Sequence, residues 1–294
     1  MEHFRNIGLL GRVGTQGVAE TIEALLVILA QRNVHVIVES ALKDLLSDQD
    51  VQFAERKMLG EVCDLAIVVG GDGSMLAAAR NLAGHDVSVL GINRGKLGFL
   101  TDIRPDELDA KVNAVLDGEY RSEKRFLLDV VVKRNGHPIA SGTALNDIVM
   151  NSGGSARMIE FELYMDDTFV YQQNSDGLII STPTGSTAYA LSGGGPIMHP
   201  SLEAIVLVPM FPHTLSARPI VVHNETEIKM VVGDSSPYLS CDGQVRLDAA
   251  PGDSIYITKK PQRLTILHPS VHDFYAACRN KLGWSNRLTK PSSE

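Results

Sequence analysis

One stretch constrains the chain more than any other. LAIVV (65–69) runs into Gly70-Gly71-Asp72-Gly73-Ser74 and then into MLAAARNL. The apolar run predicts a buried strand, and the segment from Ser74 to Leu82 predicts a helix. A strand that feeds a helix through glycines belongs in a β-α-β layer. Its neighbours repeat the pattern. Residues 5–10 (RNIGLL) predict a strand ended by Gly11, 18–31 a helix, and 34–38 and 87–91 two more strands. A further helix is predicted from Pro105, suited to a first turn, to Leu116, with Gly118 as its stop. The expectation is a parallel sheet covered by helices.

The pattern changes near residue 119. Strands are predicted at 126–133, 145–150, 158–165, 168–172, 177–181, 204–208, 219–222, 226–232, 237–241, 254–258 and 263–267. Asn135-Gly136 is a hairpin signal between two such runs. Many short strands with Gly, Asp and Pro turns predict an all-β sandwich or barrel. Residues 271–282 return to helical spacing and are expected to pack back on the first domain. The predicted division is therefore an α/β domain over 1–118, a β-sandwich domain over 119–268, and a C-terminal helix and tail over 269–294.

Composition excludes several classes of function. With 44% hydrophobic and 21% charged residues, the 294-residue chain can bury a core, so disorder is excluded and two domains are favoured. No apolar run reaches the roughly 18 residues of a membrane span. A net charge of -8 argues against a general nucleic-acid binder. Cys63, Cys241 and Cys278 are far apart in sequence, and the N-terminus does not read as a signal peptide; both predict a cytoplasmic setting.

Three segments carry candidate chemistry. In GGDGS the glycines let backbone approach a ligand, and the helix start offers free N–H groups to an anion. A carboxylate would repel phosphate, so Asp72 must serve some other end. It could accept a hydroxyl proton, hold a metal, or simply cap the helix. Residues 174–200 contain TPTGSTAY, with hydroxyls at Thr182, Thr184, Ser186, Thr187 and Tyr189, followed by Gly193-Gly194-Gly195. Short hydroxyls and one ring suit a ribose and a base; a polar surface loop is the plainer reading. Asn146-Asp147 could hold a ribose diol or form a bulge. Two weaker features remain. GRVGTQG (11–17) loosely imitates a dinucleotide fingerprint, with Glu39 where a ribose-binding acid would sit. NRGKLGFL (93–100) follows a strand end, where its Phe99 could cover a base or serve as packing.

In chain order, GGDGS, NRGKLGFL, LNDIV, DGLIISTPTGSTAYALSGGGPI and SCDGQ (240–244) resemble the NAD kinases, and the resemblance extends to HDFYAACRNKLGW near the end. GGDG alone is shared with lipid kinases and phosphofructokinases, whereas TPTGSTAY with GGGPI is far more specific. The resemblance implies an α/β domain, a β-sandwich domain and a homo-oligomer, usually a tetramer. It implies transfer of the γ-phosphoryl of ATP, or of polyphosphate in some bacterial members, to the 2′-hydroxyl of the adenosine ribose of NAD, with a divalent metal such as Mg²⁺ or Mn²⁺. Asp72 matches the proton acceptor, and Gly70, Gly71, Gly73 and Ser74 the phosphate-binding turn. Asn146, Asp147, Arg157, Asn174, Asp176 and Gln244 match substrate-binding positions. Thr187, Ala188, Tyr189, Ala190, Leu191 and Ser192 match the adenosine-side loop, part of which can come from a neighbouring subunit. Asp147 departs from the commoner Glu. The resemblance demotes GRVGTQG as a cofactor loop. Two alternatives are a lipid kinase sharing GGDG, which would want a membrane-docking stretch, and a non-catalytic dinucleotide sensor, which could dispense with Asp72.

Overall fold

Apolar runs bounded by glycine form the strands of the first unit. In the computed structural model, which describes residues 4–46, 50–95, 98–152, 158–270 and 273–284, these are β1 (Asn6–Gly11), α1 (Val18–Ala30), β2 (His35–Glu39), β3 (Gln52–Ala54), α2 (Arg56–Val62), β4 (Leu65–Gly70), α3 (Asp72–Leu82), β5 (Ser88–Asn93) and α4 (Leu108–Leu116). The strand order is β3-β2-β1-β4-β5, every pair parallel. From β1 the chain winds first to one side and then to the other, so the carboxyl ends of β1 and β4, at Gly11 and Gly70, flank the switch point where such sheets bind ligands. α1 buries Val18, Ile22, Leu25, Ile28 and Leu29, the stripe its spacing predicts. The short β3 and α2 escaped the sequence pattern. The helix predicted from Pro105 opens with a 3₁₀ turn, Pro105–Glu107, before α4.

The second unit is antiparallel. It is built from β6 (Tyr120–Arg134), β7 (His137–Ala144), β8 (Asp147–Asn151), β9 (Ile159–Met165), β10 (Thr168–Ser175), β11 (Gly177–Ser181), the one-turn α5 (Tyr189–Ser192), β12 (Ala204–Met210), β13 (Ile220–His223), β14 (Ile228–Val232), β15 (Tyr238–Cys241), β16 (Val245–Asp248) and β17 (Ser254–Pro269). One sheet carries β10-β9-β14-β17, with β6 on β17 and β7 on β6. The other runs β13-β12-β11-β8-β15-β16. Leu128, Val130, Phe161 and Met230 from the first meet Ile148, Met150, Leu178 and Leu207 from the second in one core, which makes this a sandwich. Asn135 and Gly136 take φ of 51° and 81°, the left-handed pair of a two-residue hairpin joining β6 to β7.

The strands predicted at 254–258 and 263–267 are a single strand, β17. Its middle, Lys259-Lys260-Pro261-Gln262, reads locally as a turn. Instead Lys260 reaches Asp129 on β6 at 3.2 Å and Lys259 pairs with Glu225. By contact the two units comprise Met1–Met75, Ser88–Glu123 and Ile266–Glu294, and Leu76–Val87 with Lys124–Thr265. The C-terminal helix α6 (Phe274–Leu282) belongs to the first unit, as expected of a segment returning to it. Asp273 caps it by accepting the Tyr275 N–H at 2.8 Å, and Gly283 ends it at φ 70°.

Candidate active site

Two polar constellations stand out, one in each unit. In the first, β4 ends at Gly70, where a side chain would meet Ser74 Oγ at 2.2 Å, while Gly71 has open space around it. The Ser74 and Met75 N–H groups donate to the Gly71 carbonyl at 2.9 and 3.3 Å and start α3. Asp72 therefore stands in the first helical turn. Its carboxylate faces the segment after β5. Oδ2 accepts the Phe99 N–H at 2.9 Å and Oδ1 the Leu100 N–H at 3.1 Å, with the Thr101 hydroxyl at 3.4 Å. A Cβ on Gly98 would lie 1.8 Å from Oδ1, so the glycine of the LGFL segment is what admits the carboxylate. Lys281 of α6 brings its Nζ to 3.5 Å from Oδ2. The Asp72 side chain is still 30% exposed, and each oxygen retains acceptor capacity beyond its amide bond. Asp72 is thus an oriented carboxylate open to a ligand. The Phe99 ring packs 6.3 Å from that of Phe274 and lies under Lys281 at 4.7 Å, so it contacts α6.

In the second unit, Asn146, Asp147, Asn151, Ala188, Tyr189, Tyr238, Ser240 and Asp242 line a cavity of about 390 Å³. Its organiser is Asp242. With Gly243 it forms the β15–β16 hairpin turn, at φ 53° and 66°. Its fully buried carboxylate accepts the N–H groups of Leu145, Asn146 and Asp147 at 3.1, 2.7 and 3.3 Å, and Arg80 pairs with it at 2.8 Å. These bonds set the backbone of the Asn-Asp pair. Burial, and secondarily the charge of Asp242, pushes the Asp147 carboxyl up to about 7. Asn146 Oδ1 is buried with no hydrogen-bond partner among the described residues, an acceptor that a ligand hydroxyl or amine would satisfy. Gln244 accepts from Arg80 at 2.5 Å.

The hydroxyl-rich loop departs from its sequence reading. Thr182 donates to the Leu145 carbonyl at 2.6 Å and accepts the Gly185 N–H at 3.2 Å. Ser186 donates to the Pro183 carbonyl at 2.7 Å and accepts the Met198 N–H at 3.0 Å. Both are fully buried and hold the loop rather than facing a sugar. Thr187 donates within the loop, to the Thr184 carbonyl at 3.4 Å. Ala190 is buried with Val149, Ile179, Met198, Val206 and Val208 on the outer face of the β8–β11–β12 sheet, so its methyl is core. Ala188 and the 44%-exposed Tyr189 do line the cavity. Leu191 is half-buried, and Ser192, Asn174 and Asp176 are exposed; these four are not among its lining residues. Arg157 lies outside the described residues. Glu39 is buried, 2.6 Å from Arg56, and accepts the Gly11 N–H at 3.4 Å, so it is engaged and not poised for a ribose.

Sequence reasoning misses Asp242, Arg80, Gly98 and Lys281. The SCDGQ match contains the first, yet an Asp-Gly pair reads as a turn and does not reveal which way its carboxylate points. Lys281 has no local signal at all.

Comparison with known proteins is consistent along the chain. Residues 7–120 match a family model described as the ATP-NAD kinase N-terminal domain, and residues 145–268 one described as the ATP-NAD kinase C-terminal domain. The NAD kinase of Azotobacter vinelandii (strain DJ / ATCC BAA-1303) is 60% identical over 291 residues, covering 98% of this chain and 99% of that protein. That of Hahella chejuensis (strain KCTC 2396) is 60% identical over 289 residues, 97% of this chain and 98% of that one. Among solved structures, yeast NADH kinase complexed with NADH superposes with a TM-score of 0.91 at 26% identity, covering 99% of this chain and 91% of the other. An NAD kinase from Archaeoglobus fulgidus in complex with ATP gives 0.72 at 25% identity, covering 95% and 97%.

Proposed function

Because the chain belongs to the NAD kinase family, we propose that it phosphorylates NAD from ATP with Asp72 as the group that receives the proton of the attacking ribose hydroxyl. The 2′-oxygen bonds to the γ-phosphorus, the bond from that phosphorus to the β–γ bridging oxygen breaks, and ADP leaves with the electron pair. The hydroxyl proton passes to a carboxylate oxygen of Asp72. The observation that carries this role is the orientation of Asp72: two backbone amides hold the carboxylate while part of it stays open. Fixing a base this way contributes about 10²–10⁴-fold to such a transfer.

The dinucleotide is assigned to the cavity at Asn146 and Asp147. The unpartnered Asn146 Oδ1 and the adjacent carboxyl suit a sugar, and the exposed ring of Tyr189 suits a base. Asn174, Asp176, Arg157, Thr187, Leu191 and Ser192 remain part of the proposed substrate surface through the family resemblance.

A divalent metal would arrive with the phosphates of the donor. Among the described residues no three His, Cys, Asp or Glu side chains cluster to hold one, and Mg²⁺ commonly rests on substrate phosphates with one or two carboxylates. Asp72 is the carboxylate that would meet it, and bound metal would neutralise phosphate charge.

We also propose assembly through the second unit into a homo-oligomer, a tetramer by family resemblance. Phe211 and Leu215 there are 79% and 98% exposed, apolar surface of the kind partners cover. The cytoplasmic setting belongs to the same proposal and is supported by three cysteines that are all free; among the described residues no helix is long and apolar enough to cross a membrane.

The deciding experiment is a coupled assay for NADP formed from NAD with ATP, other nucleoside triphosphates and polyphosphate. Turnover of diacylglycerol without NADP formation would overturn the assignment. Sedimentation of a fully active monomer would overturn the oligomer. NADH is worth including as acceptor. A cation near the nicotinamide would alter the balance between the charged ring of NAD and the neutral ring of NADH; position 174 is the neutral Asn174, which leaves NADH as an acceptor beside NAD, and the yeast structure holds NADH.

A further inference from the structure

In the second unit a helix end and a hairpin turn are joined by one side chain that the sequence does not mark. α3 counts with that unit from Leu76 onward, and Arg80 falls in its last turn. A basic residue there reads as an ordinary partner for the carbonyl end of the helix. The structure points it elsewhere. Its side chain is only 12% exposed, and its two terminal nitrogens part: Nη1 donates to Asp242 Oδ2 at 2.8 Å and Nη2 to Gln244 Oε1 at 2.5 Å. Both acceptors belong to the connection between β15 and β16. Gln244 is not among the residues lining the cavity at Asn146 and Asp147; it braces the guanidinium.

Asp242 does line that cavity, yet its carboxylate is occupied. Oδ1 accepts the Asn146 and Asp147 N–H groups at 2.7 and 3.3 Å, and Oδ2 accepts the Leu145 N–H at 3.1 Å together with Arg80. These donors match the roughly four acceptor sites of a carboxylate, so Asp242 organises the cavity and has no capacity left for a ligand. The carbonyls of residues 145–147 are held as well. Thr182 donates its hydroxyl to that of Leu145 at 2.6 Å and its N–H to that of Asn146 at 2.9 Å, and the Asp242 N–H donates to that of Asp147 at 2.9 Å. Every backbone polar group of Leu145, Asn146 and Asp147 therefore has a partner, which fixes the pair that faces the cavity.

This arrangement depends on charge. The Asp242 side chain is fully buried, and a buried carboxylate needs a counter-ion as well as hydrogen bonds. Arg80 supplies it. Without that cation Asp242 would stand as a lone buried charge beside a second carboxyl, Asp147. It would take up a proton or draw in water, and either change loosens its hold on the three amides.

We propose that Arg80 is a positioning residue for the phosphoryl acceptor: its guanidinium forks between Gln244 and Asp242 and, through the Asp242 carboxylate, sets the backbone from which Asn146 and Asp147 meet the ribose. The inference rests on the assignment of this cavity to the dinucleotide. The fork is what makes arginine the residue required, since a lysine ammonium brings the charge without the paired donors.

The test compares wild type with Arg80→Met, Arg80→Lys, Asp242→Asn and the Arg80→Met/Asp242→Asn double variant. It measures kcat and KM for NAD and for ATP, beside melting temperature and calorimetric binding of NAD in the absence of a donor. Arg80→Met should raise KM for NAD and weaken NAD binding by about tenfold or more, the scale of one charge-assisted hydrogen bond, while KM for ATP stays within about twofold. kcat should change less than KM for NAD. Arg80→Lys should fall between wild type and Arg80→Met. The double variant should bind NAD no worse than the weaker single variant, because the two residues act as one unit. If Arg80→Met is poorly folded, the Lys variant carries the test. A lower melting temperature with NAD affinity unchanged would make Arg80 merely structural and overturn the proposal. So would losses that add in the double variant, a rise in KM for ATP as large as that for NAD, or full restoration by Lys, since any cation would then serve the helix end. A wild-type protein that binds NAD but makes no NADP would fail the kinase reading while leaving the binding comparison to decide the role of Arg80.

Discussion

The turn at residues 70–74 and the loop at 182–198 are both glycine-rich, and both look in sequence like ligand cradles. Individual glycines in them serve opposite purposes. At the turn, Gly71 has nothing within 4 Å, and the nearby polar group, Asp72, is oriented by amides with part of it open. At Gly185, Gly193 and Gly195 of the loop the missing side chains are filled by protein. A Cβ on Gly185 would stand 2.3 Å from the Asn146 carbonyl oxygen, and one on Gly195 would stand 2.8 Å from Val208 Cγ2. There glycine lets the loop pack on the sheet, and buried Thr182 and Ser186 tie it down. Glycine content alone does not identify a binding loop; what a Cβ would meet does.

The largest effect expected from this contrast is at Asp72. Asp72→Asn should lower kcat by at least about 100-fold. Similar size alone suggests an untouched fold, but the structure revises this. An amide has one carbonyl oxygen, so its NH₂ would face the Phe99 or the Leu100 N–H, at a cost of about 1 kcal/mol. Measuring kcat beside the melting temperature separates the two effects. A folded variant within tenfold of the wild-type rate would remove Asp72 from the chemistry.

Next comes the contrast between the two carboxylates. Asp72 is partly open, whereas Asp147 is buried and its carboxyl is raised to about 7. The unfolded group titrates near 3.9, so between these values the folded state holds the proton more tightly. Stability present below about pH 4 is therefore lost as pH rises through about 7, by up to about 4 kcal/mol. Urea unfolding across pH 4–8 should show this decline, and Asp147→Asn should flatten it. An equally steep decline in the variant would place its origin elsewhere.

Smaller still is the difference between packed and open glycines. Gly185→Ala should cost about 1–3 kcal/mol of unfolding free energy through overpacking, while Gly71→Ala should stay within about 0.5 kcal/mol. The reverse order would break the comparison. Among the glycine substitutions that should destabilise, the smaller loss is expected at Gly194, whose φ is 85° with open space around it. Gly194→Ala should cost about 1 kcal/mol through backbone strain alone, and Gly194→Asn should cost less because Asn tolerates that region. Equal losses for the two would point to packing instead.

What the sequence determined by itself was whatever depends on near neighbours. The apolar run before GGDG specified β4, the spacing of 18–31 specified α1, and Asn135-Gly136 specified a hairpin, because each rests on local periodicity or on one residue's backbone freedom. The shared order of motifs was also enough to bring the family into view. Only the tertiary structure decided which polar groups face a ligand. Asp242 accepts from backbone some 95 residues away, Lys281 reaches Asp72 from the far end of the chain, and Thr182 turns to the carbonyl of Leu145. It also joined two predicted strands across Lys259-Lys260-Pro261-Gln262 into β17, whose ladder partners β14 and β6 are distant in sequence. A side chain's direction depends on what lies opposite it, and in a sheet-built protein the opposite residue is distant in sequence. Local pattern can therefore mark a residue as polar and well placed, but only the packed fold determines whether it is occupied or available.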